Sequence, residues 1–270
     1  MTDQTPPLLD FRNLRVMRGQ KIALDDFTLR IGADEHVAIL GPNGCGKSTL
    51  IKTITRECYP VVQTEDRPEA RPESSMSILG EDCWDVFALR QRLGIVSNDL
   101  MLSCTGDACG RDVVLSGFFS SNAIYSNHTV DPEHLALAEA ALTELKIPHL
   151  AERPVCEMSS GEARRVLIAR ALVHKPHALL FDEPCNSLDL AAQQSLRQTM
   201  RTLANSGTAI ILVTHELADV VPEIQRVVLM SRGHIVADGP KEEILQVERL
   251  AELFGVSVEM ARRGGHYHLW

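Results

Sequence analysis

The apolar positions along the chain sort into short strand-length runs and longer helical patterns. Two apolar-rich segments, 8–16 and 21–31, flank Arg18-Gly19-Gln20 and predict a pair of hairpin strands. A third strand, His36 to Leu40, runs into a glycine-rich turn, after which Leu50, Ile51 and Ile54 recur at helical spacing from Lys47 to about residue 57. Further strands are predicted at Met76 to Leu79 and Gly94 to Ser97, with a short helix at 86–92 between them. From 107 to 173 the pattern turns helical, one face carrying Leu135, Ala138, Leu142 and Leu145, another Ala163, Val166, Leu167 and Ala171. Strands then follow at 178–182, 208–213, 226–230 and 234–237, with a helix at 189–204. Ile244, Val247, Leu250 and Phe254 share a face and predict one docked helix over 241–254.

Strands alternating with helices predict an α/β fold, with a mostly parallel sheet between helical layers. The chain reads as a single domain, 1–270, with a helical subdomain at 107–173. Residues 60–75, where Pro60, Pro68 and Pro72 stand among six charges, read as an exposed flexible insertion. Residues 255–270 read as a frayed tail in which His266 and His268 face solvent.

Composition narrows the function classes. With 270 residues, 44% hydrophobic and 23% charged, the chain is long and apolar enough for a core, which excludes disorder as its main state. Its 36 acidic against 27 basic residues give a net charge of -9, so no direct nucleic-acid partner is expected. The opening MTDQTPPLLD lacks the basic and apolar regions of a leader, and no apolar run approaches the ~20 residues of a membrane span. A cytoplasmic location follows as an expectation, any membrane role passing through a partner. Seven cysteines, an odd set without CxxC spacing, read as reduced thiols.

The chemistry begins with Gly41-Pro42-Asn43-Gly44-Cys45-Gly46-Lys47-Ser48, a GxxxxGK[ST] loop between a predicted strand and a predicted helix, followed by Thr49. Glycines let such a loop turn its N–H groups onto phosphate oxygens, and the helix N-terminus adds positive potential. Lys47 would neutralise the β- and γ-phosphates and Ser48 would ligate Mg²⁺. Asp182 and Glu183 end an apolar strand, which points Asp182 to the metal shell and Glu183 to the attacking water. Met158-Ser159-Ser160-Gly161-Glu162 opens a helix, where Ser159 reads either as an N-cap or as part of a second anion site. Asn186-Ser187-Leu188-Asp189 follows the acidic pair, and His215 ends a strand.

The ordered set GPNGCGKST, MSSGEARRVLIARAL, ALLFDEP, NSLD and VTHE resembles the nucleotide-binding domain of ATP-binding-cassette (ABC) ATPases over residues 8–245. The resemblance implies a P-loop NTPase with a RecA-like core, an antiparallel β subdomain and an inserted helical subdomain. It implies a head-to-tail homodimer sandwiching two ATP molecules with Mg²⁺, in which Ser159 and Gly161 reach the γ-phosphate held by the other copy. Asp189 would serve that interface, with Glu183 as general base and His215 as γ-phosphate sensor. The implied activity is ATP hydrolysis driving a separate membrane permease, from the cytoplasmic face. The alternative is a soluble ABC ATPase acting on a ribosomal, nucleic-acid or protein complex, and a P-loop kinase leaves MSSGE and His215 unexplained.

Three positions depart from that pattern. Asn98 stands nearest the place of a glutamine that serves the metal and the water, and is one methylene, about 1.5 Å, shorter. Arg18 stands where an aromatic residue commonly stacks on adenine, and reads either as a guanidinium lying on the base or as a solvated turn residue. Cys45, inside the loop, reads as packing rather than chemistry and is still expected to be alkylation-sensitive. The stretches 79–97 and 112–118 are also similar to molybdenum-transport-type single cassettes, and 98–111 reads either as a permease-docking surface or as apolar residues packed inside the helical subdomain. The shortfall predicts slow basal turnover or a water filling the gap, so Asn98→Gln is expected to change the ATPase rate or its Mg²⁺ dependence; both unchanged in a phosphate-release assay would remove that assignment.

Overall fold

Residues 5–61, 74–97 and 108–270 are described by a computed structural model, in two units. The first unit, Met1–Val86 with Ala209–Trp270, opens with β1 (Leu9–Arg18), β2 (Lys21–Ile31), β3 (Val37–Leu40), α1 (Lys47–Ile54) and β4 (Ser75–Ile78). The second, Phe87–Thr208, takes in most of α2 (Val86–Arg92), then β5 (Leu93–Val96), α3 (Gly110–Ser116), α4 (Pro132–Glu144), α5 (Ser160–Leu172), β6 (Ala178–Asp182) and α6 (Leu190–Asn205). The chain then returns to the first unit as β7 (Ala209–Thr214), β8 (Arg226–Ser231), β9 (His234–Pro240), α7 (Lys241–Ile244) and α8 (Val247–Phe254). It continues as β10 (Met260–Arg263) and β11 (His266–Leu269).

In the first unit β1 pairs antiparallel with β2 on one side and β4 on the other. The buried positions of β1 change parity along its length, from Leu9 and Phe11 to Leu14 and Val16. A register shift at Asn13, which sits at φ 50 and donates its N–H to Thr28 Oγ1, makes this possible. The bulge keeps both sets on the core face, where an unbroken strand would have turned one set to solvent. The paired strands expected from 8–31 are therefore present.

All four residues of β3 are buried, and it lies parallel between β7 and β8, with β9 antiparallel on β8. Burial on both faces explains why β3, β7 and β8 read as continuous apolar runs, whereas β9 alternates between exposed and half-buried positions. Arg226 clamps the outer strands, donating to both carboxylate oxygens of Asp238 at 2.6 and 2.7 Å, to Glu35 at 3.0 Å and to Arg30 O at 2.9 Å. Its bonds to Asp238 and Glu35 push the guanidinium pKa up against the opposing effect of burial.

The second unit pairs β5 parallel with β6, Leu93 opposite Ala178 through Val96 opposite Phe181. Helix α5 lies on β5 at a glycine: a Cβ on Gly94 would stand 2.9 Å from Ala171 O. Asp131 and His134 form a capping box on α4 with Pro132 in the first turn. Around its start Phe118 packs on His134 at 4.4 Å and Phe119 stacks on His128 at 4.2 Å. The predicted helices at 86–92 and 189–204 and the predicted strands appear within a residue or two of expectation, except that the strand expected at 234–237 runs on to Pro240. Of the proposed insertion 60–75, residues 62–73 lie outside the described residues.

Two expectations at the C-terminal end are corrected. The single helix over 241–254 is two, because Leu245 leaves helical geometry to bury itself at 1% exposure and Gln246 is extended (φ −116, ψ 143). Nor is 255–270 a frayed tail: β10 and β11 form an antiparallel hairpin across Gly264 and Gly265, closed by Glu259 and Trp270 exchanging backbone hydrogen bonds. Tyr267 is 4% exposed, and a Cβ on Gly265 would lie 2.9 Å from Pro222 Cγ. The hairpin rests on the turn 217–219 that follows β7. Among the described residues no helix is long and apolar enough to cross a membrane. Removing the buried ring by Tyr267→Ala is expected to cost about 2–3 kcal/mol and lower Tm by roughly 4–10 °C; an unchanged thermal melt would show that the hairpin adds nothing.

Candidate functional site

In the first unit, β3 delivers the chain at Leu40 to a loop whose shape is set by absent side chains. A Cβ on Gly41 would stand 2.5 Å from Met230 O in β8, and one on Gly46 would stand 2.9 Å from Ala23 O in β2. Gly44 has open space around it but a φ of 80, and Gly46 caps α1 at φ 115. The turn closes by Cys45 N–H donating to Pro42 O at 3.3 Å, and Gly233 N–H donates to Cys45 O at 2.7 Å. Asn43, Gly44 and Ser48 are exposed, while Thr49 is buried.

Lys47, the first residue of α1, is only 6% exposed and donates from Nζ to Gly41 O at 2.7 Å and Pro42 O at 3.2 Å. The ammonium thus spans the loop on the loop's own carbonyls. No acidic residue occupies the first turn of α1, so nothing in that turn offsets the positive end of its dipole. Cys45 is 4% exposed with Sγ close to Gly41, so the expected alkylation sensitivity is corrected: the thiol is packing. Arg18 ends β1 exposed to solvent, its guanidinium donating to Cys58 Sγ at 3.2 Å.

His215 follows β7 directly, with Nε2 3.7 Å from Glu216 Oε1. The turn behind it is built by residues the sequence reading passed over. Thr214 Oγ1 accepts from Glu216 N–H at 3.0 Å and donates to Asp219 Oδ2 at 3.3 Å, with Asp219 itself 1% exposed. From the other side Lys241 Nζ donates to Pro222 O at 3.0 Å. The Thr-His-Glu-x-x-Asp spacing was the available signal, since a buried Thr–Asp pair needs two polar residues five apart around a tight turn.

The second unit carries the other candidates. Ala178 to Phe181 are fully buried and the strand emerges at Asp182 and Glu183, both half-buried. Glu183 sits at φ 44, and its carbonyl accepts from Asn186 N–H at 3.1 Å. A non-glycine residue held in the left-handed region stores on the order of 1 kcal/mol or more. Asp189 caps α6, its Oδ1 accepting from Ala192 N–H at 2.8 Å.

Ser159 caps α5 in a capping box: Ser159 Oγ accepts from Glu162 N–H at 3.3 Å while Glu162 Oε2 accepts from Ser159 N–H at 2.8 Å. The backbone N–H and hydroxyl of Ser159 hold the Glu162 carboxyl below its usual range. The cap reading is therefore satisfied in full. Gly161 is confined by packing, since a Cβ there would stand 2.8 Å from Ala192 Cβ at the start of α6. Behind them Arg164 is 1% exposed; burial lowers its pKa, and nearby Asp182 opposes that shift. Asn98 and most of the candidate docking surface 98–111 lie outside the described residues.

The family described as ABC transporter matches residues 24–186, a span that holds the phosphate loop, the capped serine and both strand-end acids. The Hemin import ATP-binding protein HmuV of Hahella chejuensis is 32% identical over 251 residues, covering 89% of this chain and 90% of the relative. That of Bradyrhizobium diazoefficiens is 31% identical over 266 residues, covering 96% and 92%. The ADP conformation of MJ1267, an ATP-binding cassette of an ABC transporter, superposes with a TM-score of 0.76 at 23% identity over 92% of this chain and 97% of that one, which shows a shared fold. Because the family match and these relatives span the residues that shape the loop, the chain belongs to the ABC transporter family, as a subunit that binds and hydrolyses ATP.

Proposed function

We propose that this chain is one of two identical subunits that close head to tail on two ATP molecules and so drive a separate integral membrane permease. The observation that carries the proposal is the phosphate loop, with Gly44 at φ 80, Gly46 at φ 115 and Lys47 leading α1. In this reading the loop from Gly41 to Thr49 wraps the phosphates, and Lys47 exchanges the Gly41 and Pro42 carbonyls for phosphate oxygens.

Ser48 offers an exposed hydroxyl and Asp182 a half-buried carboxylate. Such oxygens fit Mg²⁺, which keeps most of its shell as water and phosphate oxygen; among the described residues no group of three His, Cys, Asp or Glu forms a protein cage. When bound, the ion would neutralise negative charge on the phosphate oxygens. Glu183 takes the proton from the attacking water, and His215 holds the γ-phosphate in line. Asn98 would share the metal and water, and Arg18 the adenine.

The capping box commits the N–H groups of Ser159 and Glu162, so those of Ser160 and Gly161 keep no intrahelical acceptor. They supply the anion site that Ser159 and Gly161 would present to ATP on the second copy, with Asp189 at the same interface. The hemin import names of the relatives support inward transport of a compact chelate, whose recognition belongs to the permease. The chain would then sit peripherally on the cytoplasmic face, and its net charge of -9 supports no nucleic-acid partner.

Glu183→Gln is expected to slow phosphate release by about 10² to 10⁴ with ATP affinity retained, and to hold the dimer closed in size-exclusion runs with ATP and Mg²⁺. Normal turnover would remove Glu183 from the general-base role. The same variant, tagged and purified gently from its native cells, should carry a stoichiometric multi-span membrane protein; a dimer alone, or one on ribosomal components, would overturn transport coupling. Gly46→Ala should lose ATP binding by about tenfold or more, because Cβ meets Ala23 O and a φ of 115 is foreign to L-residues. Wild-type affinity in a fluorescent-nucleotide titration would mean that the loop does not need its glycine there.

A further inference from the structure

A cavity of about 1130 Å³ opens in the first unit beside the phosphate loop. Three segments wall it: Pro42 to Cys45 of the loop, the end of β8 with β9, and the last turn of α8. Its uncovered apolar surface comes from Val236, Leu253 and Phe254, with Leu229 buried behind them. Leu250 of α8 is fully buried, whereas Leu253 and Phe254 on the same helix are only partly covered and Val236 is 57% exposed. This is apolar area left without a neighbour in the cavity wall, of the kind that lines small-molecule sites.

The charged groups are unusual for this chain. Arg232, Arg249 and His234 line the cavity against a single carboxylate, Glu252, in a protein whose net charge is -9. Neither guanidinium takes an ion-pair or hydrogen-bond partner among the described residues. An arginine fork suits carboxylate, sulfonate or phosphate, and a flanking apolar wall suits a hydrocarbon body. We infer that this cavity binds an amphipathic organic anion, an acid with a hydrocarbon chain or ring, its charged head between Arg232 and Arg249.

The site is wired to the loop that handles ATP. Arg232 (φ 48) and Gly233 (φ 82) form the tight β8–β9 turn. Gly233 N–H donates to Cys45 O at 2.7 Å, and Gly233 O accepts from Asp25 N–H at 3.1 Å. A ligand gripping Arg232 fixes the turn on which the loop rests, so it tightens ATP binding, and by linkage ATP tightens the ligand by the same factor. Only this coupling rests on the ATP-handling role of the loop; occupancy of the cavity does not.

The test is a fluorescence titration of the full chain with 8-anilinonaphthalene-1-sulfonate, followed by displacement with decanoate. One saturable site is expected, weakened about tenfold or more by Arg232→Gln combined with Arg249→Gln. Val236→Glu, at an exposed position where packing is not disturbed, should weaken it likewise through charge repulsion. ATP affinity without probe should be unchanged in all three substitutions and should rise with decanoate only in the unsubstituted chain. Equal probe binding by the variants, or many unsaturable sites, would overturn the assignment. Loss of probe when Glu183→Gln closes with ATP would also overturn it, marking the cavity as a seat for the second copy. Unchanged ATP affinity with decanoate bound would overturn the coupling.

Discussion

Backbone packing against backbone at the phosphate loop is the constraint on which the first unit turns. Gly41 lies where a Cβ would strike the Met230 carbonyl, and Gly46 where one would strike that of Ala23. The loop is therefore clamped between β8 and β2 without a side chain between them. Each glycine costs roughly 0.5–1 kcal/mol of additional chain entropy on folding. The fully buried β3 and β7 and the buried centre of β8 offset it. Lys47 completes the arrangement, a nearly buried ammonium made tolerable by loop carbonyls that a phosphate can replace.

The second unit applies the same logic with different residues. Glu183 is held at φ 44 at the exit of a strand whose preceding four residues are fully buried. A rigid core can impose that conformation; a loose loop would relax it. At the neighbouring helix starts, Ser159 and Asp189 each cap their own helix, and Gly161 keeps the two starts close enough for a methyl to clash with Ala192. Capping and anion binding are thus not rival readings of Ser159. A box that ties two N–H groups in place also fixes the direction of the two it leaves over.

What the sequence made legible was whatever depends on local pattern. The buried strands stood out as apolar runs, the phosphate loop as a spacing that few other structures require, and α6 by the period of Leu196, Met200 and Leu203. What escaped was decided by contacts between distant residues. Nothing in MARRGGHYHL has the apolar alternation of a strand pair, and its hairpin stands because Tyr267 is buried and Gly265 fits against Pro222. The helix over 241–254 breaks after Leu245, which still donates its N–H to Lys241 O but turns its ψ out of the helical range with its side chain buried, and Gln246 is extended. Arg18 had two readings open, and the structure shows it bonded to Cys58 Sγ, forty residues away. Glu183's strained backbone has no sequence signature at all.

The chain order of the loop's supports bears on how the protein is made. Residues 41–48 rest on Met230 and Gly233, about 190 residues later, and β3 lies between strands beginning at Ala209 and Arg226. On a ribosome the phosphate loop emerges early and must wait for its scaffold while the whole of Phe87–Thr208 is synthesised. That intervening stretch is contiguous and free to settle first, whereas β3 spends the interval as an unpaired apolar strand. The nascent chain is most exposed to misassociation during that interval, so slowed elongation between residues 87 and 208 would test its solubility more severely than slowed elongation after 233.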